Sequence, residues 1–268
     1  MKPKIVGAPE RKSGPCRLGG DRCRYSKTHV PPQCAGNTGE QVVRWQLQQH
    51  DGSSTDMNPR IGGIWCRGLC SSCNSHAGAN GDDDYCLLVN AARSAGLAMP
   101  GLSGGPTGQL VHPGGAVRSM LYGAFSFAPR LREFYEDLAN DLLTDKDTPF
   151  TLPSELSLRL AATSSNEALV MGSVAAIGIL PPARTTIFVA ACFFRPLAWA
   201  LVHSDELGDT AHWLDISDWT NTTTEAKASA LIPDLPSVDV PLIDDHGWVF
   251  TGELATIYRG TLKSRVKQ

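Results

Sequence analysis

The sequence lacks a long uninterrupted apolar run. Its most apolar stretch, TTIFVAACFFRPLAWALV, is broken by Arg195-Pro196, which favours buried strands over a membrane-spanning helix. The first residues, MKPKIVGAPERKSGP, have no apolar segment of the kind that a secretory signal carries. These absences predict a cytoplasmic protein with no membrane partner. In that reducing compartment, cysteines serve as metal ligands more often than they form disulfides.

The sequence also lacks a phosphate-binding P-loop. The glycine-rich stretch MPGLSGGPTGQLVHPGG contains no Gly-Lys-Ser/Thr, so it predicts a linker or surface loop. Charge is unevenly divided along the chain. Residues 1–76 contain 11 Lys/Arg and 5 Asp/Glu, whereas residues 77–268 contain 13 and 22. This imbalance points to a polyanionic partner for the first part, although an uneven solvated surface would give the same count.

The pattern of elements predicts an α+β fold. The first 80 residues are rich in Gly, Pro, Ser, Asn and Cys and have few long periodic runs, so a metal would help them to fold. A helix is expected over GDDDYCLLVNAARSAGL, with Asp82 to Asp84 at its start and Gly96 at its end. After a linker at residues 99–115, one kinked or two short helices are expected over 116–144, with a break at Pro129. Their amphipathic face, ending with Leu131, Phe134, Leu138 and Leu142, is interpreted as core.

The rest of the chain predicts strands. ALVMGSVAAIGIL, TTIFVAACFF, LAWALVHS and GWVFTGELATIYRG are β-branched or aromatic runs separated by Pro, Gly and Asp, and HWLDISDW predicts a short helix or turn. Residues 116–268 thus read as a helical segment plus a strand-rich α+β domain. The histidines and acids of this part form no recognised spacing, and a sensor or oligomerisation role for it stays open.

Seven of the eight cysteines lie in the first third of the chain, and only Cys192 lies outside it. Disulfides would be expected to spread over the fold that they hold, so the clustering indicates a metal. In CRGLCSSCN, Cys70 and Cys73 have the spacing at which two thiolates reach one tetrahedral zinc. Cys16 and Cys23 are the natural second pair, although their spacing is wide. Cys66 or Cys34 could substitute.

His29 lies in SKTHVPP, between the two halves of this zinc site. Val30 and the two prolines that follow favour an extended chain, which would fix His29 at the end of a strand. A lone histidine usually has no special role. One held on a short strand between the ligands of a metal is better placed for chemistry.

SKTHVPP, GIWCRGLCSSCN and GANGDDD together resemble the HNH, or ββα-metal, nucleases, in particular the branch typified by recombination endonuclease VII. The resemblance implies an HNH-type domain over residues 10–98, with a structural zinc and a catalytic Mg²⁺ or Mn²⁺. It implies that His29 is the general base and that Asn74 is a catalytic residue and a ligand of the catalytic metal. Arg67 or Lys27 would contact a phosphate.

The chain departs from the family pattern at Thr28, where the family has a metal-binding Asp. A threonine hydroxyl is a poor substitute for a carboxylate, so either Asp56 or one of Asp82 to Asp84 supplies the missing charge, or the metal site is weak. His76 could be a further ligand or a surface histidine. The resemblance predicts a metal-dependent endonuclease that acts on DNA rather than RNA, and a homodimer is one option for its assembly. The alternative is a zinc-stabilised nucleic-acid-binding protein without activity, which Thr28 favours.

Overall fold

The structure is a computed structural model of the chain. It describes residues 12–38, 42–48, 54–97, 108–128, 130–177, 185–232, 235–240, 248–250 and 256–261. Side chains are described at 12–38, 62–97, 108–128, 130–172, 187–232 and 235–240. Helices and antiparallel sheets occur together, so the α+β class is confirmed. Among the described residues, no helix has the length and apolar character needed to cross a bilayer.

The strands and helices follow one another along the chain as set out here. The strands are β1 Ser13–Pro15, β2 Arg22–Arg24, β3 Thr28–His29, β4 Val42–Gln48, β5 Ser54–Ile61, β6 Trp65–Cys66, β7 Leu110–Val111, β8 Leu156–Ala162, β9 Glu167–Ile177, β10 Thr185–Phe194, β11 Leu197–Leu207, β12 Leu214–Asp215, β13 Ala226–Lys227, β14 Trp248–Phe250 and β15 Thr256–Thr261. The helices are α1 Ser71–Ala77, α2 Asp83–Ser94, α3 Pro113–Phe127, α4 Leu131–Phe134, α5 Glu136–Asp141 and α6 Ala228–Leu231.

The largest sheet has the strand order β12-β8-β11-β10-β9-β15-β4-β5, and β14 also pairs with β9. Its pairings are antiparallel. The β-branched and aromatic runs predicted as strands form β9, β10, β11, β14 and β15, so that prediction is confirmed. HWLDISDW contains the short strand β12 and the start of a 3-10 turn. Large side chains cover both faces of this sheet, as expected for its nearly continuous apolar strands.

The first 80 residues contain more regular structure than the sequence interpretation allowed. Strands β4 and β5 pair with each other, and β4 continues the large sheet through β15. The sequence of β4, VVRWQLQ, alternates apolar and polar residues, which is a strand signal. The sequence interpretation missed it because the region is otherwise rich in Cys, Gly and Pro. The N-terminal part therefore contributes strands to the sheet of the C-terminal part.

Helix α3 lies between the two parts of the chain. All of its side chains are buried, and it contacts α2 on one side and the sheet on the other. It begins at Pro113, inside the segment predicted as a linker, so residues 113–115 are helical instead. Its start is stabilised by His112, whose Nδ1 accepts a hydrogen bond from the Gly115 amide at 3.0 Å. The break predicted at Pro129 lies outside the described residues, but α3 ends before it and α4 begins after it.

One prediction about this region is wrong. Phe134 was interpreted as core, but it is 65% exposed because it lies on the outer side of the short helix α4. Arg130 stacks on its ring, with the guanidinium carbon 4.8 Å from the ring centroid. The other three members of that face, Leu131, Leu138 and Leu142, are buried as expected.

Helical backbone runs without a break from Ser71 to Ser94. A π-helical segment, Gly78–Asp82, joins α1 to α2. Helix α2 begins at Asp83 with Asp82 before it, as predicted, but the π-helical segment leads directly into it, so these acids do not lie at a free helix end. Gly96 closes the run as predicted, with φ +80° and an amide that donates to the Arg93 carbonyl at 3.0 Å.

One buried cluster contains residues from both parts of the chain, from Cys16 and Leu18 to Leu201 and Leu235. A second cluster, which includes Met171 and Trp213, covers the opposite face of the sheet. Most of the predicted linker, 99–107, lies outside the described residues. The division into domains at 10–98 and 116–268 therefore stays a prediction, although side chains on both sides of it share a core.

A disulfide joins Cys34 to Cys86, 52 residues apart. The expectation that cysteines of this region would be ligands rather than disulfides is wrong for this pair, and Cys34 is not a substitute zinc ligand. The physical reason is the fold: the 3-10 turn Gln33–Ala35 packs against α2 and brings the two sulfurs together. The bond ties the segment after β3 to the helix after the π-helical segment.

Replacing Cys86 by serine is expected to lower the free energy of unfolding by about 2–4 kcal/mol, because the disulfide restricts the unfolded chain over a long loop. Urea denaturation of the wild type with and without a reductant, beside Cys86→Ser, measures this. The reductant should destabilise the wild type and leave the variant unchanged. Equal wild-type stability in both conditions would contradict the prediction.

Candidate functional site

The three thiols of Cys16, Cys70 and Cys73 form a compact cluster. Their Sγ atoms all lie within 4.8 Å of one another. Such a set of sulfur donors could hold a metal ion and is compatible with zinc. The structure therefore brings together three of the four cysteines that the spacing predicted as ligands, from positions more than 50 residues apart.

Backbone amides point at the sulfurs of this cluster. Cys16 Sγ accepts hydrogen bonds from the amides of Gly19 and Cys70, both at 3.3 Å. Cys70 Sγ caps the start of α1 by accepting from the Cys73 amide at 3.4 Å. A Cβ on Gly19 would lie 3.1 Å from Cys73 Sγ, so the backbone there closely follows the sulfurs. Donors of this kind stabilise the thiolate form, which is the form that binds a metal.

Hydrogen bonding between the thiols favours a thiolate at Cys16. The Cys73 thiol hydrogen-bonds to Cys16, and this lowers the pKa of Cys16 to about 4, well below that of an ordinary thiol. The same hydrogen bond raises the pKa of Cys73. A negative charge is therefore stabilised on the sulfur of Cys16, one of the three sulfurs that could hold a cation.

Cys23 lies beside the triad. The hairpin of β1 and β2 carries both Cys16 and Cys23, and the Cys23 thiol interacts with those of Cys70 and Cys16. Burial raises the pKa of Cys23 to about 11. Cys66, a possible substitute ligand, is elsewhere: its sulfur lies 2.9 Å from Ser126 Oγ and is not part of the triad.

Next to the thiols, a cavity of about 330 Å³ opens between β3, the helical run 71–94 and α3. Three residues singled out from the sequence, Thr28, His29 and Asn74, line it together, as do Lys27, Asp82 and Asp83. Its inner wall is formed by α3, including Ser119 and Tyr122. An imidazole and a carboxamide 45 positions apart thus face one space.

His29 ends β3, as its sequence context predicts, and β3 pairs with β6. Its Nε2 lies 3.0 Å from the Gly62 carbonyl oxygen, which can only accept, so Nε2 carries the proton. Gly62 and Gly63 have φ of +118° and +81°, and these conformations turn the chain before β6. Burial lowers the pKa of His29 and Lys27 lowers it further, against the opposing effect of the Gly62 hydrogen bond. Nδ1 of the neutral ring is left as a proton acceptor.

Asn74 lies in the first turn of α1, directly after the thiol-bearing turn. The backbone N–H of Asn74 donates to the Cys70 carbonyl at 3.0 Å, so the residue is positioned by the same turn that carries Cys70 and Cys73. Across the cavity, Thr28 is 6% exposed, and its Oγ1 has no hydrogen-bond partner among the described residues. A buried hydroxyl without a partner is costly, so a ligand that contacts Thr28 Oγ1 would relieve this cost.

Among the candidate acids, Asp82 has the position that suits a ligand. It lines the cavity at the end of the π-helical segment, a type of distortion that often occurs at functional sites. Burial raises the pKa of Asp82 to about 6, although Ser119 Oγ donates to its carboxylate at 2.7 Å. Asp83 also lines the cavity, and its side chain is exposed. Asp84 pairs with Lys146 at 3.1 Å, and the side chain of Asp56 lies outside the described ones.

The other predicted residues have different surroundings. His76 is half-buried, and its ring nitrogens contact the Leu142 carbonyl at 3.1 Å and the Asn80 side-chain amide at 3.2 Å. It therefore links α1 to the residue that follows α5. Lys27 is exposed, lines the cavity and lies 4.5 Å from the centre of the Trp65 ring. Arg67 donates to the Tyr25 carbonyl at 3.1 Å and is not among the residues that line the cavity.

Two contributors to the site were missed from the sequence. Ser119 holds Asp82 from α3, and Gly62 holds His29 from the turn before β6. No local signal marks Ser119, because it lies in a buried helix 37 residues beyond Asp82. The Gly62-Gly63 pair does signal a turn, but the pairing of β3 with β6 is needed to connect that turn to His29.

Comparison with protein-family models, with curated proteins and with solved structures finds no match for this chain. The resemblance to the HNH nucleases therefore remains a prediction from the residues.

Proposed function

We propose that the protein is a metal-dependent endonuclease of the HNH type, which hydrolyses phosphodiester bonds with His29 as the general base. The observation that carries this proposal is the cavity, which His29, Asn74 and Asp82 line together. An imidazole base beside oxygen ligands for a hard cation is a set of groups suited to hydrolysing a phosphodiester.

In this proposal a zinc ion has a structural role. Cys16, Cys70 and Cys73 would hold it, with Cys23 as the fourth sulfur, and four protein ligands are typical of a structural rather than a catalytic zinc. These thiols would thereby join the β1–β2 hairpin to the turn at the start of α1. Because Asn74 follows Cys73 directly, the thiol cluster sets the position of Asn74 in the cavity.

His29 removes a proton from the attacking water. The Gly62 carbonyl holds the proton on Nε2 and orients the ring, so Nδ1 is the atom that accepts. The lowered pKa of His29 keeps the ring neutral and able to accept a proton near neutral pH. Lys27, exposed at the edge of the cavity, contacts a phosphate oxygen.

Asp82, Asn74 and Thr28 offer the oxygen atoms that would hold Mg²⁺ or Mn²⁺. The fit rests on the buried Thr28 Oγ1, which has no partner among the described residues, and on the carboxylate of Asp82 in the same cavity. A cation held there would stabilise the charge that develops on the phosphate and on the leaving 3′ oxygen. Asp82 thereby supplies the negative charge that Thr28 lacks, and Ser119 orients its carboxylate.

The test is cleavage of plasmid DNA by zinc-loaded protein, with and without added Mg²⁺ or Mn²⁺. Cleavage is expected only with the added cation. Asp82→Asn should raise the cation concentration needed for half-maximal cleavage by about 10- to 100-fold, because a neutral amide binds a hard cation more weakly than a carboxylate does. A titration of Mg²⁺ under single-turnover conditions measures this shift.

Asp137→Asn serves as the matched control, since Asp137 is exposed on α5 and is not among the residues that line the cavity. Its cation dependence should equal that of the wild type. DNA that is bound but never cut, with either cation, would support the alternative of an inactive nucleic-acid-binding protein. RNA cut in preference to DNA would correct the substrate but leave the site in place.

A further inference from the structure

The β1–β2 hairpin presents two arginines to solvent from one face. Arg22 and Arg24 are exposed, and Cys23 between them points to the thiol cluster. This follows from the alternation of side chains along a strand. Because Cys16 and Cys23 anchor the hairpin from the other face, the positions of the two arginine residues are fixed by the cluster.

Little covers this arginine face. Opposite Arg24 and Arg22 on β1 lie Ser13 and Pro15, whose side chains are small. Within the part of the chain that the structure describes, neither guanidinium forms an ion pair with a carboxylate. Arg22 and Arg24 are both exposed to solvent, and their positive charges repel each other. An anion bound across the two guanidinium groups would relieve that repulsion.

Two exposed lysines flank the hairpin along the chain. Lys12 is exposed and lies next to Tyr25, whose amide donates to the Lys12 carbonyl at 2.9 Å. Lys27, also exposed, lines the cavity itself. Residues 12–38 contain five Lys/Arg and a single acid, Asp21. The exposed side chains of Lys12, Arg22, Arg24 and Lys27 form what is called here the basic strip.

We propose that the basic strip binds the phosphate backbone of the nucleic acid whose scissile bond enters the cavity, a proposal that rests on the proposed function. Guanidinium groups pair with phosphate oxygens through two parallel hydrogen bonds, and successive phosphates of one strand can meet successive cations of the strip. Contacts of this kind position the nucleic acid without reading its sequence. Because the thiol cluster anchors the hairpin, the same cluster fixes both the strip and Asn74.

The experiment measures binding separately from cleavage. Fluorescence anisotropy gives the Kd of zinc-loaded protein for a labelled DNA duplex, without Mg²⁺ or Mn²⁺, over a series of KCl concentrations. For the double variant Arg22→Ala with Arg24→Ala, the slope of log K against log[KCl] is expected to fall by about two, since each lost phosphate contact removes about 0.9. The loss should be the same for duplexes of unrelated sequence.

Two further variants separate charge from structure. Arg22→Lys with Arg24→Lys keeps both charges and should retain most of the wild-type slope. Arg130→Ala with Lys227→Ala removes two exposed cations from α4's start and from β13 and should leave the slope unchanged. Thermal unfolding of the two variants of the strip should match the wild type, because the exposed arginines of the strip hold no other residue in place.

The outcomes distinguish this proposal from the proposed function. An unchanged slope in the alanine double variant would overturn the basic strip even if cleavage is intact. Loss of slope in a protein that never cuts DNA would support the strip and count against the nuclease. Binding to vesicles with one-fifth phosphatidylserine, but not to DNA, would overturn the proposal in favour of an anionic membrane surface.

Discussion

Replacing His29 by alanine is expected to slow phosphodiester cleavage by about 10²- to 10⁴-fold, the range that a general base contributes. The reason is geometric. The Gly62 carbonyl fixes the proton on Nε2, and Nδ1 faces no other partner among the described residues, so the neutral ring is ready to accept a proton. Single-turnover cleavage of a labelled duplex at saturating Mg²⁺ measures the chemical step directly.

His29→Gln separates the base from its support. Glutamine can still donate to the Gly62 carbonyl but cannot take a proton at neutral pH, so this variant should be as slow as His29→Ala. Added imidazole should partly restore cleavage in His29→Ala and not in the wild type. His212→Ala is the matched control, because His212 is exposed and is not among the residues that line the cavity. A wild-type rate in His29→Gln would remove His29 from the chemistry.

Replacing Cys73 by serine is expected to release the zinc and unfold the elements that the thiols hold. Structural zinc contributes on the order of 10 kcal/mol of binding free energy, and much of it is folding free energy where the metal-free segment has little core of its own. We expect the β1–β2 hairpin and the start of α1 to depend on the thiols in this way, because they carry Cys16, Cys70 and Cys73. Zinc content should fall from about one ion per chain, and amide hydrogen exchange should rise over residues 13–29 and 65–77.

The large sheet should respond differently. On one face of strands β8 to β11, the buried cluster that includes Trp213 contains no member of the thiol triad. The protection of these strands from amide hydrogen exchange should therefore persist. Cys192→Ala provides the control: Cys192 is buried in β10, away from the thiol cluster, and its loss should leave zinc content unchanged. Full zinc content in Cys73→Ser would contradict the assignment of Cys73 as a ligand.

The thiols of the candidate metal site and the strand pattern could be predicted from the sequence because both depend on local spacing. Cys70 and Cys73 are neighbours on one turn, and the β-branched runs each form a strand of their own. His29 could be placed at a strand end because the Val-Pro-Pro that follows restricts the chain locally. Each of these inferences needed only a few consecutive residues.

What could not be predicted depends on contacts between distant segments. The disulfide of Cys34 and Cys86 requires a turn and a helix to pack together across 52 residues. Asp82 was expected at a helix start, whereas a π-helical segment continues α1 into α2 and turns Asp82 toward the cavity. Nothing near Ser119 shows that it will hold that carboxylate, because the contact exists only once α3 is buried between the two parts of the chain.

The central claim is that the thiols of this chain bind one zinc ion. X-ray absorption at the zinc edge tests it most directly, since it identifies the atoms bound to the ion in the intact protein. If the thiol cluster fixes the hairpin and Asn74 as proposed, the purified wild type will contain about one zinc per chain, surrounded by four sulfur atoms at about 2.3 Å. Cys23→Ser should then show three sulfurs and one lighter ligand. A wild-type protein with no zinc, or with zinc bound mainly by nitrogen and oxygen, would contradict the account.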